Sequence, residues 1–133
     1  MEFHHTQGLG LRVLRLAFVY GDGDPHLTEG MRWFQNWNPN QPMHLVHHAD
    51  VAQAIMLAID KAGIDGEIYN VADDEPVKVG EIMHLYGESV TEEAFSRPLD
   101  PGWYQIVDTS KIRNLGFQPV YPTLHSAHSA GTL

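Results

Sequence analysis

Hydrophobic and polar positions divide the chain into short apolar runs punctuated by glycine, proline and aspartate. From Leu11 to Gly21, LRVLRLAFVYG is almost unbroken by polar residues and rich in Leu, Val and aromatics, the pattern of a strand buried on both faces of a parallel sheet. GDGDP closes it as a turn. In LTEGMRWFQNWNPNQP, Met31, Phe34 and Trp37 recur at helical spacing ahead of two prolines, which predicts a short helix and then a loop. MHLVHH reads as a short strand, and ADVAQAIMLAIDKAG as a helix with Val51, Ile55, Ala58, Ile59 and Ala62 on one broad face. Asp50 is expected to cap that helix, with Gln53 three residues on completing a capping box.

The second half alternates in the same way. Glu67 to Ala72 predicts another strand, broken by Asp73, Asp74 and Pro76; VKV is a stub of strand, and GEIMHLYGESV a helix. In the tail, Asp108 to Ser110 is a helix-start signal and Gly116 a helix-stop signal, with Phe117 and Pro119 just beyond. No repeat, low-complexity tract or linker interrupts the chain, so residues 1–133 are read as one domain of class α/β. Strand, helix and strand across Leu11 to Ala72 form a crossover unit that would join two parallel strands. Two strands leave open edges, and the first is apolar enough to want a neighbour on each side.

Composition narrows the partners. A chain of 133 residues, 43% hydrophobic and 19% charged, can bury one core, and its net charge of −9 repels phosphate backbones and anionic membranes. Neither nucleic acid nor membrane is therefore expected. The absence of cysteine removes disulfides, thiolate zinc sites and cysteine nucleophiles together. With no membrane-length apolar window and no signal segment, a soluble cytoplasmic protein is the default expectation.

Candidate chemistry is sparse. His44, His47, His48 and Asp50 cluster within seven positions, but adjacent His47 and His48 point to opposite faces of a strand. His44 and His48 would stand roughly 13 Å apart at strand rise, too far to share a zinc ion. No metal site is expected. A calcium loop counted from Asp22 would have Leu27 and Trp33 where glycine and glutamate belong, and no phosphate-cradling glycine loop is present. Trp33 and Trp37 could stack a ligand, although such a pair more often covers a core edge. Arg97 stands in a loop punctuated by Pro and Gly, where its guanidinium could clamp an anion or pair with Asp100. No catalytic Ser, His and carboxylate motif is visible.

Taken in order, LRVLRLAFVYGDGD, MHLVHHADVAQAIMLAID, GEIYNVADDEPVKVGEI and RPLDPGWYQIVDTSKIRNLGFQPVYPTL resemble the carboxy-terminal half of the extended short-chain dehydrogenases/reductases, the NAD-dependent epimerase/dehydratase family. The likeness runs from Leu11 to Leu124. It implies the last two strands and crossover helix of a Rossmann-like, doubly wound parallel sheet, plus a small substrate-binding lobe. VHHADVA is similar to the element in which that lobe's strand hands over to the helix behind the sheet, with His47 at the family's His/Tyr position and Asp50 at its helix-starting aspartate.

In the family, a glycine loop holds the dinucleotide pyrophosphate and a Tyr-x-x-x-Lys pair supplies the general base. Neither is in this sequence: the residues four beyond its tyrosines are Asp24, Asp73, Val90, Asp108 and His125. Met1 would fall in the helix just after the Tyr-x-x-x-Lys position. The resemblance thus implies a substrate-side fragment of an NAD- or NADP-dependent epimerase, dehydratase or reductase. Its substrate would be a sugar nucleotide or related small molecule, and no residue here is catalytic. Leu16 and Ala17 would border the nicotinamide; Phe18, Met43, His47 and Arg97 would face substrate. Phe18 replaces the family's asparagine and Met43 a diphosphate-binding arginine, while Arg97 matches the second such arginine. The alternative is a stand-alone ligand-binding or oligomerisation module, a homodimer or the partner of a missing amino-terminal half.

Overall fold

A computed structural model describes residues 2–133. The elements in chain order are α1 (Glu2–Gln7), β1 (Val13–Leu16), β2 (Phe18–Tyr20), α2 (His26–Phe34), β3 (Pro42–Met43), β4 (Leu45–His47), α3 (His48–Asp60), β5 (Ile68–Val71), β6 (Val77–Lys78), α4 (Val79–Leu85), α5 (Ser110–Asn114) and α6 (Leu124–Ser129). Single 3-10 turns cover Glu92–Ser96 and Pro101–Trp103. Met1, which the resemblance puts within a helix, lies outside the described residues. No helix among the described residues is long and apolar enough to cross a membrane.

The crossover is present. β1 and β5 are parallel with Val13 opposite Ile68 and Leu16 opposite Val71, and α3 lies between them in sequence. The long apolar strand, however, divides at Ala17. Ala17 N donates to Val71 O at 2.9 Å, while Phe18 N donates to His44 O at 3.1 Å, so the chain changes partners from β5 to β4 and β2 runs parallel to β4. Strand parity explains the change: odd residues from Val13 to Ala17 face β5, and even residues face the opposite edge. That edge is covered at Phe18 by β4. At Leu14 and Leu16 no strand covers it among the described residues, since β1 has β5 as its one neighbour. The expectation of burial on both faces is corrected separately by the side chains of β1, which are half-buried at Val13 and Leu14 and exposed at Arg15 and Leu16, the last by 43%.

The MHLVHH strand also divides, at His44, into β3 and β4. β3 pairs antiparallel with β6, Met43 opposite Val77, and β4 is buried throughout. β4 separates two cores by alternation: Leu45 joins Tyr20, Leu27, Met31, Phe34, Met43 and Ile82 in the lobe, and Val46 joins Ala17, Ala54, Tyr69, Val71, Ile112 and Phe117 in the crossover half.

The capping expectation at α3 is overturned. The N-cap is His47, whose Nδ1 accepts from Ala49 N at 3.1 Å. Asp50, fully buried in the first turn, accepts from Val120 N at 2.6 Å and Tyr121 N at 3.1 Å. Gln53 exchanges two hydrogen bonds with the backbone of Gln118, each 2.8 Å. Both side chains therefore fasten the extended tail, whose amides have no strand to pair with. The buried side of α3 is centred on Ala54, with Val51, Leu57 and Ala58 half-buried; Ile55 and Ile59, placed on the inner face by periodicity, are exposed instead. The tail helix follows the sequence signals: Asp108 Oδ1 accepts from Ser110 N at 2.8 Å and from its hydroxyl at 2.5 Å. Gly116 takes φ 107° just past the end of α5.

Candidate functional site

A concave surface opens where β2 leaves the crossover. Phe18, Trp33, Phe34, Trp37, Met43 and Trp103 line a cleft of about 300 Å³. Every tryptophan in the chain is in this set, as the sequence contains three. The set comes from five elements, β3 contributing Met43. β2 contributes Phe18, and α2 contributes Trp33 and Phe34. The turn after α2 brings Trp37 back over Phe34, ring centroids 5.5 Å apart and edge-on, and the Pro101–Trp103 turn lays Trp103 5.3 Å from Trp37. Gly30 is needed for this packing, because a Cβ there would come within 2.9 Å of the Phe34 ring.

The loop that carries Trp103 is held by amide side chains rather than by regular structure. Buried Gln41 donates to Asp100 O at 2.9 Å and accepts from Asp100 N at 2.7 Å. Buried Asn38 donates to Phe95 O at 3.1 Å and Arg97 O at 2.6 Å. Arg97 completes the link, donating through Nη1 to Gln35 O at 2.6 Å and Trp37 O at 3.2 Å. Its guanidinium is thus occupied with carbonyls of the turn that sets Trp37. It does not pair with Asp100, whose Oδ1 accepts from Gly102 N at 2.9 Å. Arg97 borders a neighbouring cleft of about 250 Å³ with Ser89, Thr91 and Ala94, on the other side of Phe34 and Trp37.

The residues singled out in the sequence therefore separate into three groups. Leu16, Ala17 and Phe18 are consecutive and run from the carboxyl end of β1 into the cleft. Phe18 and Met43 share it, with Met43 nearly buried in its floor. His47 is elsewhere. Its ring lies 5.3 Å from Tyr20, 4.6 Å from His48 and 4.2 Å from Tyr121. Because its Nδ1 accepts from Ala49 N, its Nε2 carries the hydrogen and donates to Thr132 O at 3.1 Å. Burial lowers its pKa.

His44 is engaged likewise: Nδ1 accepts from Val107 N at 3.2 Å, Nε2 donates to Asp73 O at 3.1 Å, and burial lowers its pKa. The His48 ring occupies the space where a Cβ on Gly21 would stand, 2.5 Å from it. The three histidines thus serve three different contacts. Among the described residues no group of three or more His, Cys, Asp or Glu is arranged to hold a metal ion.

One buried acid stands out beside them. Asp73 is almost inaccessible, and its Oδ2 and the Tyr20 hydroxyl have no hydrogen-bond partner among the described residues. Desolvation, reinforced by Asp74 and Asp50, pushes the Asp73 carboxyl up to about 8 and raises the Tyr20 hydroxyl as well.

Trp103 had no signal in the sequence beyond being one of three tryptophans. The spacing of Trp33 and Trp37 is that of a ligand stack or a core edge, but nothing in it brings in Phe18, Met43 or Trp103.

The chain matches no family model and no curated protein. Solved structures do match. UDP-glucose 4-epimerase from Thermotoga maritima, solved with UDP-glucose, is 24% identical with a TM-score of 0.68, over 96% of this chain and 46% of that one. UDP-glucuronic acid 4-epimerase from Bacillus cereus, in complex with NAD, is 19% identical with a TM-score of 0.69, over 97% and 45%. RMD from Pseudomonas aeruginosa, complexed with NADPH, is 16% identical with a TM-score of 0.74, over 97% and 49%. The chain spans about half the length of the solved structures it matches. With its parallel crossover and following lobe, it shares the Rossmann-like α/β fold of these structures.

Proposed function

We propose that this chain supplies the substrate wall and one border of the nicotinamide site of an NAD(P)-dependent epimerase, dehydratase or reductase acting on a small molecule. The observation that carries the reading is the continuity of Leu16, Ala17 and Phe18. They lead from the carboxyl end of a parallel strand, where open α/β sheets take their ligands, directly into an aromatic cleft. Leu16 is exposed there, and its amide belongs to the edge away from β5, so an apolar side chain and a backbone edge are both open to a nicotinamide ring. That fit is confined to the ring; no glycine loop in these 133 residues could hold the pyrophosphate. A bound dinucleotide would supply hydride transfer, and this chain's residues would position the ring and the substrate. Without a Tyr-x-x-x-Lys pair the chain alone turns over no substrate. The test is to titrate the full chain with reduced nicotinamide mononucleotide and follow backbone amide resonances. Leu16, Ala17 and Phe18 are expected to shift together; no movement at all three would end this reading, and so would turnover of UDP-glucose with NAD by the pure chain.

A second reading, association with another chain, is favoured by the open edge at Leu14 and Leu16 together with exposed Ile55, Met56 and Ile59 on α3. Sedimentation decides it, a concentration-independent monomer counting against it.

A further inference from the structure

From the chemistry of the cleft we infer that its ligand is an uncharged, planar aromatic molecule of about two to three rings, which the cleft prefers to a nucleotide diphosphate. The inference rests on the reading of the cleft as a substrate wall and names what that wall accepts.

The side chains that line the cleft are five aromatics and a methionine. No charged side chain and no amide is among them. A diphosphate brought here would lose water and meet no donor, the costly outcome for a buried charge. The nearby cation is already committed, because Arg97 donates to Gln35 O and Trp37 O. Releasing it would free two carbonyls and loosen Trp37. The overall charge of −9 also opposes an anionic ligand.

The aromatics, by contrast, are arranged as open faces. Trp37 and Trp103 meet at 47° with centroids 5.3 Å apart, in direct contact with each other, so a flat ring would stack on their outer faces beside Trp33 rather than between them. Trp33 is 58% and Trp103 44% exposed, although the wall behind them is pinned by Gln41 and Asn38. A site of about 300 Å³ is at the lower end of the range for small-molecule pockets and too concave for a flat protein interface. Methionine in the floor adapts to irregular rings and makes favourable sulfur–aromatic contacts. One polar feature stands at the edge. The His26 ring is edge-on to Phe18 at 6.1 Å, and its Nδ1 is held by Asp24 Oδ1 at 2.6 Å. With Nδ1 donating to that carboxylate, Nε2 of the neutral ring is an acceptor, to which a ligand hydroxyl could donate.

The three tryptophans give three indole N–H resonances, which report the cleft directly. Naphthalene-2-methanol, as the neutral planar probe, is expected to shift all three in a saturable titration. UDP-glucose is expected to bind more weakly or not at all. Trp33→Ala and Trp103→Ala should each weaken the naphthyl probe about 5- to 10-fold, with circular dichroism unchanged because both residues are substantially exposed. Trp33→Phe should keep most of the affinity.

The inference is overturned if UDP-glucose shifts the indoles at equal or lower concentration, or if the naphthyl probe moves none of them. Self-association abolished by Trp33→Ala and untouched by the probe would assign the cleft to a second copy and overturn it as well. Leu16 and Ala17 are outside the cleft lining, so their amides report nicotinamide separately from the indoles, and nicotinamide binding and cleft chemistry fail independently.

Discussion

The crossover half and the aromatic cleft spend similar residue types in opposite ways. Around Ala54, Val71 and Phe117 the large side chains are enclosed, and the polar ones are saturated by backbone: Asp50 takes two tail amides, and Gln53 an amide and a carbonyl. Around Phe18, Trp33 and Trp103 the large side chains are left in part to solvent, and the polar ones, Asn38, Gln41 and Arg97, sit behind them holding loops in place. In the first region removing a side chain leaves a void or an unpaired donor. In the second it removes a contact surface that only a ligand would complete. The comparison predicts that stability and recognition are separable in this molecule.

The largest effect should come from Phe117→Ala. The ring is almost wholly buried beside Ile112, and its loss is expected to cost about 3–5 kcal/mol in urea unfolding. Asp50→Ala comes next, at about 2–4 kcal/mol, because Val120 N and Tyr121 N would both lose a buried acceptor. If either variant unfolds like the parent, the crossover half is not the rigid member of the pair.

Asp73→Asn tests the boundary between the regions by pH. The folded carboxyl titrates near 8 against an ordinary value of 3.8, so the folded state holds a proton that the unfolded chain has released. Stability from this group therefore falls as pH rises from about 4 to about 8, by no more than about 1.4 kcal/mol per pH unit. His44 and His47, with pKa values lowered by burial, act in the opposite sense below their ordinary 6.5. The net fall should thus be visible between pH 6.5 and 8, and Asp73→Asn should remove it. An unchanged slope in thermal melts across that window would show that Asp73 is ionised when folded.

Gln53→Ala should cost about 1 kcal/mol, since its two bonds to Gln118 lie near solvent. Trp33→Ala should cost least, below about 1 kcal/mol, while changing ligand binding most. A loss of stability as large as that of Phe117→Ala would dissolve the distinction between the two regions.

The alternation of apolar and polar runs was enough to place α3, β5, the β6 stub, α4 and the tail helix, because each depends on local periodicity and on stop signals such as Gly116. It also placed Val13 and Ile68 on the two strands of one crossover, where the fold pairs them directly. Three features were not legible. The apolar run from Leu11 to Gly21 divides at Ala17 because two different partners claim alternate backbone groups, and a partner is not a property of the run itself. Asp50 and Gln53 have the spacing of a capping box, but their side chains were claimed by tail amides 65 to 71 residues away. Ile55 and Ile59 repeat with α3's period, yet which side of a helix is inner depends on what packs against it, and small Ala54 was chosen.

The sequence by itself determined the strand–helix–strand crossover, the acidic charge and the absence of a phosphate-binding glycine loop in these 133 residues, since all of these are readable from local stretches of chain. Only the tertiary structure decided that three tryptophans from two distant segments face one cleft, and that Arg97 faces carbonyls instead of solvent. Those outcomes depend on long-range contacts, whose entropy cost is met only when the whole lobe closes.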